Sequence, residues 1–142
     1  MNLALEQAQL AEQADEVPIG ALVIKDGNIL GQGHNRTLLD NDPTAHAEII
    51  ALRQAAARIG NHRLTGCEMF VTIEPCAMCA GAMIQARIAR LVYAAPDPKA
   101  GAAGSVLPVI NHPRLNHKME VASGVLEQEC SEILQRFFRR KR

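Results

Sequence analysis

Pro75-Cys76-Ala77-Met78-Cys79, taken with His46-Ala47-Glu48, supplies two thiols, one imidazole and one carboxylate in two short segments. A catalytic zinc site typically takes three protein ligands and leaves its fourth position to water, whereas a structural site closes all four positions with Cys or His. Here the paired soft or borderline donors stop at three, His46, Cys76 and Cys79, and Glu48 is left over. The pattern predicts one Zn2+ per chain that activates water, with Glu48 moving protons rather than ligating. A structural site would need a fourth ligand. His34, His62, His112, His117 and Cys67 are present, but none forms a second paired motif. A redox reading of the Cys-x-x-Cys pair leaves His46 and Glu48 unused.

The segments around these motifs alternate between helix and strand. Asn2 to Gln13 has helical composition. Pro18 to Ile24 and Ile29 to Gly33 read as a hairpin, because Asp26-Gly27 is a favoured tight-turn pair between apolar runs. Asp42-Pro43-Thr44 offers a turn and cap for a helix whose apolar positions Ile49, Ile50, Leu52, Ala56 and Ile59 continue until Gly60-Asn61. Glu68 to Ile73 reads as a strand, Pro75 to about Arg87 as a helix and Arg90 to Ala95 as a buried strand. Asp97 to Ser105 is a loop, Met119 to Ala122 a short strand and Val125 to Arg139 a closing helix. Cys76 and Cys79 would then share one face of a first helical turn, where the positive end of the dipole favours thiolate. Residues two apart on a regular helix point away from each other, so His46 must stand at the helix entrance if it is to share a site with Glu48.

Composition is compatible with an ordered enzyme. The 142 residues suffice for one domain and one core, and 48% of them are hydrophobic. Glu6, Gln7, Gln9, Glu12 and Gln13 break any apolar run near the start, and no stretch approaches the length of a membrane span, so a cytoplasmic location is expected. Cys67 and Cys130 sit in apolar patterns typical of buried thiols, and no disulfide is expected. Net charge is zero but uneven: up to Glu74 the acids outnumber the bases ten to five, and the excess of bases ends in Arg136-Phe137-Phe138-Arg139-Arg140-Lys141-Arg142. Two aromatics among five cations could hold a phosphate backbone and stack a base. The same segment also reads as a helix end whose cations complement the macrodipole.

Beyond the zinc motifs, the chain carries Glu16-Val17-Pro18-Ile19-Gly20-Ala21, Asn35-Arg36, Asp42-Pro43-Thr44-Ala45, Glu74-Pro75, Cys79-Ala80-Gly81-Ala82-Met83-Ile84, Gly101-Ala102-Ala103-Gly104-Ser105, Asn116-His117 and Phe137-Phe138-Arg139. In these it resembles the cytidine-deaminase-like zinc hydrolases and, among them, the bacterial tRNA adenosine deaminases. The zinc motifs fit every branch. The Asp97 to Ser105 loop and the Phe137-Phe138-Arg139 ending resemble the tRNA branch, although Ala100 stands where threonine is more common and the leading helix is short. The resemblance implies a three-layer α/β/α fold with a central mixed sheet of about five strands and helices on both faces, residues 1–142 forming a single deaminase domain. It implies a homodimer that converts adenosine to inosine at the wobble position in the anticodon arm of a tRNA, an arginine tRNA, with no membrane partner. Asn35 would read the purine edge, Ile19, Ala45 and Pro75 would contact the substrate, and the peptide unit around Pro75-Cys76 would help hold the attacking water. Lys99, Ser105, Asn116, His117, Phe138 and Arg139 would hold the loop. The alternatives are a free-base deaminase of guanine or cytosine using the same zinc site, and a binding module with a purely structural metal.

Overall fold

The computed structural model describes residues 1–142. Helix α1 (Asn2–Gln13) leads into the hairpin β1 (Gly20–Lys25) and β2 (Asn28–His34), followed by α2 (Ala47–Ile59), β3 (Glu68–Ile73), α3 (Ala77–Gln85), β4 (Arg90–Ala95), β5 (Glu120–Ser123) and α4 (Glu127–Arg140). The strands form one sheet in the order β2-β1-β3-β4-β5. β1 is antiparallel to both β2 and β3, while β3, β4 and β5 run parallel. In the hairpin, Lys25 pairs with Asn28 across Asp26 and Gly27, both with positive φ, which is the two-residue turn that Asp-Gly favours.

Strand alternation sorts the core into two layers. Ala21, Val23, Met69, Val71 and Leu91 point to the face covered by α2 and α3 and belong to one cluster of 19 buried residues. Leu22, Val92 and Ala94 are buried on the other face, toward α1 and α4, whose Ala4, Ala8, Ala11, Cys130, Ile133 and Phe137 are buried as well. This is the expected three-layer α/β/α arrangement. The backbone of α2 lies hard against β2. A Cβ on Gly31 would come within 2.2 Å of the Ala51 carbonyl oxygen, and one on Gly33 within 2.7 Å of that of Ala47. Buried Ala47, Ala51 and Ala55 complete this close seating, and it holds the start of α2 at the sheet end where His34 pairs with Gly20.

Several boundaries differ from those expected. Thr44 does not cap α2: the N-cap is His46, and Asp42 instead accepts from the Thr44 N–H and hydroxyl in a local turn. Pro75 does not open α3, because Cys76 keeps an extended backbone as N-cap and the helix begins at Ala77. It ends at Gln85, and Arg87 adopts a left-handed φ of 61°. Helix α4 starts at Glu127, since Leu126 is also left-handed, with φ 56°. All four cysteines are free thiols, and Cys67 and Cys130 are buried.

Candidate active site

Two helix N-termini meet at the end of the sheet where β3 finishes. His46 precedes α2 with φ −76° and ψ 153°, and Cys76 precedes α3 with φ −75° and ψ 176°. His46 therefore stands outside regular helix, the condition for sharing a site with Glu48 two residues on. Cys79 follows in the first turn of α3 and is fully buried. The positive ends of both helix dipoles thus face the same small volume and favour anionic sulfur there.

The ligand atoms of His46, Cys76 and Cys79 lie within 4.8 Å of one another. His46 Nδ1 is 3.6 Å from Cys76 Sγ and 3.5 Å from Cys79 Sγ. With Zn–S of about 2.3 Å and Zn–N of about 2.0 Å, a tetrahedral centre separates its nitrogen and sulfur donors by roughly 3.5 Å. The two nitrogen–sulfur edges of such a tetrahedron are already in place, and a Cys2His donor set suits zinc. Glu48 lies in the first turn of α2, 3% exposed and outside this triad.

Charge in the cluster is shared. The Cys79 thiol and the His46 ring both donate to Cys76 and hold its thiol down at about 3, so Cys76 is the thiolate. Cys79, as the donor to that thiolate and buried besides, is pushed up. His46 is raised by its bond to Cys76, against the opposing effect of burial. Burial also pushes the Glu48 carboxyl up, with its own backbone N–H and Cys79 partly offsetting the rise. A buried carboxyl displaced toward neutrality beside a metal-ligand set is the profile of a proton-transfer group.

A sequence profile of the MafB19-like deaminases matches residues 1–142. The chain belongs to this family of deaminases. A tRNA-specific adenosine deaminase from Haemophilus influenzae is 50% identical over all of this chain and 83% of its own. A solved structure from biochemical and structural studies of A-to-I editing by tRNA:A34 deaminases at the wobble position of transfer RNA superposes with TM-score 0.91 at 48% identity, covering 94% of this chain and 97% of the other. Guanine deaminase from Nitrosomonas europaea superposes with TM-score 0.84 at 26% identity over 96% of this chain and 81% of its own.

In this deaminase the other expected site residues divide into three groups. Asn35, Ile19, Ala45 and Pro75 lie at the metal end. Asn35 is 6% exposed and its Oδ1 accepts from the Ala47 N–H at 2.9 Å, so it caps α2 from outside the helix. The Ile19 carbonyl accepts from the Asn35 N–H, the Ala45 carbonyl from the Arg36 N–H, and the Pro75 carbonyl from the Ala102 N–H. The Asn35 amide is expected to read the purine edge; with its oxygen committed to the helix, its Nδ2 is the part without a protein partner. Asn35→Ala should cost about 1–2 kcal/mol of stability through the lost cap, read as a lower denaturation midpoint with unchanged slope.

Lys99, Phe138 and Arg139 come together in a cleft of about 580 Å³ whose floor is Ile73 and Ala95, the ends of β3 and β4. Arg142 of the basic tail lines it too, as do Ser131 and Gln135, which the sequence motifs do not single out. The basic tail is divided in its duties. Arg136 and Arg140 pair with Glu12 and Lys141 with Asp15, on or just after α1, whereas Arg139 and Arg142 face the cleft. Phe137 is buried and Phe138 stands outside it, 48% exposed, in an edge-on contact at 5.4 Å.

Ser105, Asn116 and His117 do not join either group. The Ser105 hydroxyl donates to Glu74 at 2.5 Å. His117 Nε2 donates to the Ile88 carbonyl at 2.7 Å, next to the start of β4, and Asn116 sits exposed beside it at the end of the sheet opposite the metal cluster. Residues 102 to 117 run along the α2–α3 face, as buried Ala102 and Ile110 show, and set Asn116 and His117 apart from the metal cluster of their own chain. Glu74 had been given no role, although a carboxylate closing an apolar strand is itself a signal. It is 1% exposed. Burial alone would raise it, but the Ser105 hydroxyl and the N–H groups of Asp97, Ser105 and Ala103 hold it below the usual carboxylate value.

Proposed function

We propose that this deaminase hydrolyses adenosine to inosine at the wobble position of a tRNA anticodon arm, that of an arginine tRNA, with residues 1–142 acting as one domain. The observation that supports it best is the pairing of a His46–Cys76–Cys79 triad of zinc dimensions with a basic, aromatic-edged cleft at the same end of the sheet. His46, Cys76 and Cys79 would hold one Zn2+, which when bound supplies a water acidic enough to be used at neutral pH. Glu48 would take one proton of that water and give it to the ring nitrogen beside C6, then take the remaining proton from the new C6 hydroxyl and pass it to the departing amine. Burial of Glu48 excludes bulk water from this transfer. The Asn35 Nδ2 donates to the purine edge while its Oδ1 keeps α2 in place, and Ile19, Ala45 and Pro75 form the wall around the base. Asn35→Asp keeps the acceptor and removes the donor. It should leave the denaturation midpoint near wild type and raise KM about tenfold or more, since a lost base-edge bond is worth ~1–3 kcal/mol; an unchanged KM removes Asn35 from recognition.

An anticodon loop suits this geometry because its bases can splay out, whereas a stacked base cannot present C6 to a recessed metal. In the cleft, Lys99, Arg139 and Arg142 meet phosphates and Phe138 stacks on a base. Each of Lys99→Ala, Arg139→Ala and Arg142→Ala should lower the salt slope of RNA binding by about 0.7–0.9, and Arg136→Ala should leave it unchanged because its partner is Glu12. Equal slopes for all four variants would make the tail only a helix end.

The reading includes a homodimer in the cytoplasm. No helix is long and apolar enough to cross a membrane. The apolar face where half-buried Ile49, Ala56 and Ala82 of α2 and α3 overlie buried Leu52, Leu64 and Ala86 is where we place the second copy. Light scattering should give twice the 15.4 kDa chain mass, and Ile49→Glu, at a half-buried position of this face, should halve it; a wild type of single-chain mass removes the dimer.

A further inference from the structure

Glu74 lies two residues before Cys76, and its carboxylate receives four hydrogen bonds from a loop more than twenty residues away. The Asp97 N–H and the Ser105 hydroxyl donate to Oε1 at 3.1 and 2.5 Å; the N–H groups of Ala103 and Ser105 donate to Oε2 at 2.9 and 3.1 Å. The next residue continues the grip, since the Ala102 N–H donates to the Pro75 carbonyl at 2.8 Å. The loop passes so close that a Cβ on Gly101 would stand 2.4 Å from the Glu74 carboxyl carbon. Asp97 then passes this order outward, its Oδ1 accepting from the N–H groups of Lys99 and Ala100. Asp97 and Lys99 line the cleft. Four donors converging on two oxygens demand a side chain that only accepts. A glutamine in either orientation would turn an NH2 toward two of them.

We propose that Glu74 is a positioning residue that fixes the 97–105 loop, and with it Lys99 and the mouth of the cleft, against the strand end that carries Cys76. RNA held in the cleft is thereby set at a defined distance from the metal ligands. The inference depends on the reading of the cleft as the RNA site. Neither Glu74 oxygen reaches the metal triad, so its substitution leaves the ligand set intact.

The test uses the full zinc-loaded chain with Glu74→Gln, an anticodon stem-loop RNA and amide hydrogen exchange. Zinc content should stay at one per chain, and the amides of Asp97, Ala103 and Ser105 should lose protection. KM for the stem-loop should rise about tenfold or more while kcat changes far less, and Lys99→Ala should add little in the Glu74→Gln background. A purely structural role would leave the Lys99 effect additive. Should Glu74→Gln fail to fold, Ser105→Ala removes a single donor and should show the same coupling at a smaller scale. Wild-type exchange and KM in Glu74→Gln, or additive effects with Lys99→Ala, would overturn the proposal while RNA binding by the wild type stands. A wild type that ignores the stem-loop would overturn the RNA reading itself and Glu74's part in it.

Discussion

Glu48→Gln should lower the rate of deamination by about 10²–10⁴-fold or more while one zinc per chain remains bound. The substitution keeps the size and shape of a side chain that is 3% exposed in the first turn of α2, so packing is preserved. What it removes is the capacity to take and return a proton. The metal does not need this carboxylate, because His46, Cys76 and Cys79 already present three donors at tetrahedral spacing. The variant therefore separates proton transfer from metal binding. Activity within tenfold of wild type would strip Glu48 of its role, and loss of zinc would make it a ligand.

Cys79→Ala should empty the metal site and abolish activity. Cys79 is fully buried, and its sulfur is one of only two thiols in the triad. Loss of partners that merely orient metal ligands weakens affinity 10–100-fold, so removal of a ligand should weaken zinc binding by more than about 100-fold. Stability should fall as well, through the small cavity and through the lost metal, whose binding free energy adds to that of folding. Zinc titration with a competing chelator and thermal unfolding with and without metal measure both effects. Added zinc should raise the wild-type midpoint and leave that of Cys79→Ala unmoved. Full zinc occupancy in Cys79→Ala would show that the metal sits elsewhere.

The ligand set was legible because its chemistry is local: Cys76 and Cys79 are one helical turn apart, and the His46-Ala47-Glu48 triplet abuts a helix start. The bounds of α1, β3 and β4 also follow from composition and alternation. Helix starts were less legible. The α2 cap comes from Asn35, just after β2 and twelve residues before Ala47, and nothing near Thr44 signals that. The partition of the basic tail was hidden for a similar reason. Arg136, Arg140 and Lys141 differ from Arg139 and Arg142 only in which side of α4 meets α1, and that depends on how two helices from opposite ends of the chain pack on the sheet. The distance of Asn116 and His117 from the metal end was not legible because a motif gives residue types without the path of the loop that carries them. Glu74 was missed on the same account, since its four partners assemble only when the 97–105 loop folds back over the strand end.

The fold alone does not choose the substrate, since guanine deaminase shares it; the proposed function assigns that choice to the cleft that Lys99, Phe138, Arg139 and Arg142 line. The decisive measurement incubates the zinc-loaded protein with an anticodon stem-loop carrying adenosine at the wobble position and, in parallel, with free guanine and free cytosine. Inosine should appear at that one position, and no ammonia should be released from either free base. Ammonia from a free base with the stem-loop untouched would contradict the account, leaving the metal chemistry in place but taking RNA out of the cleft.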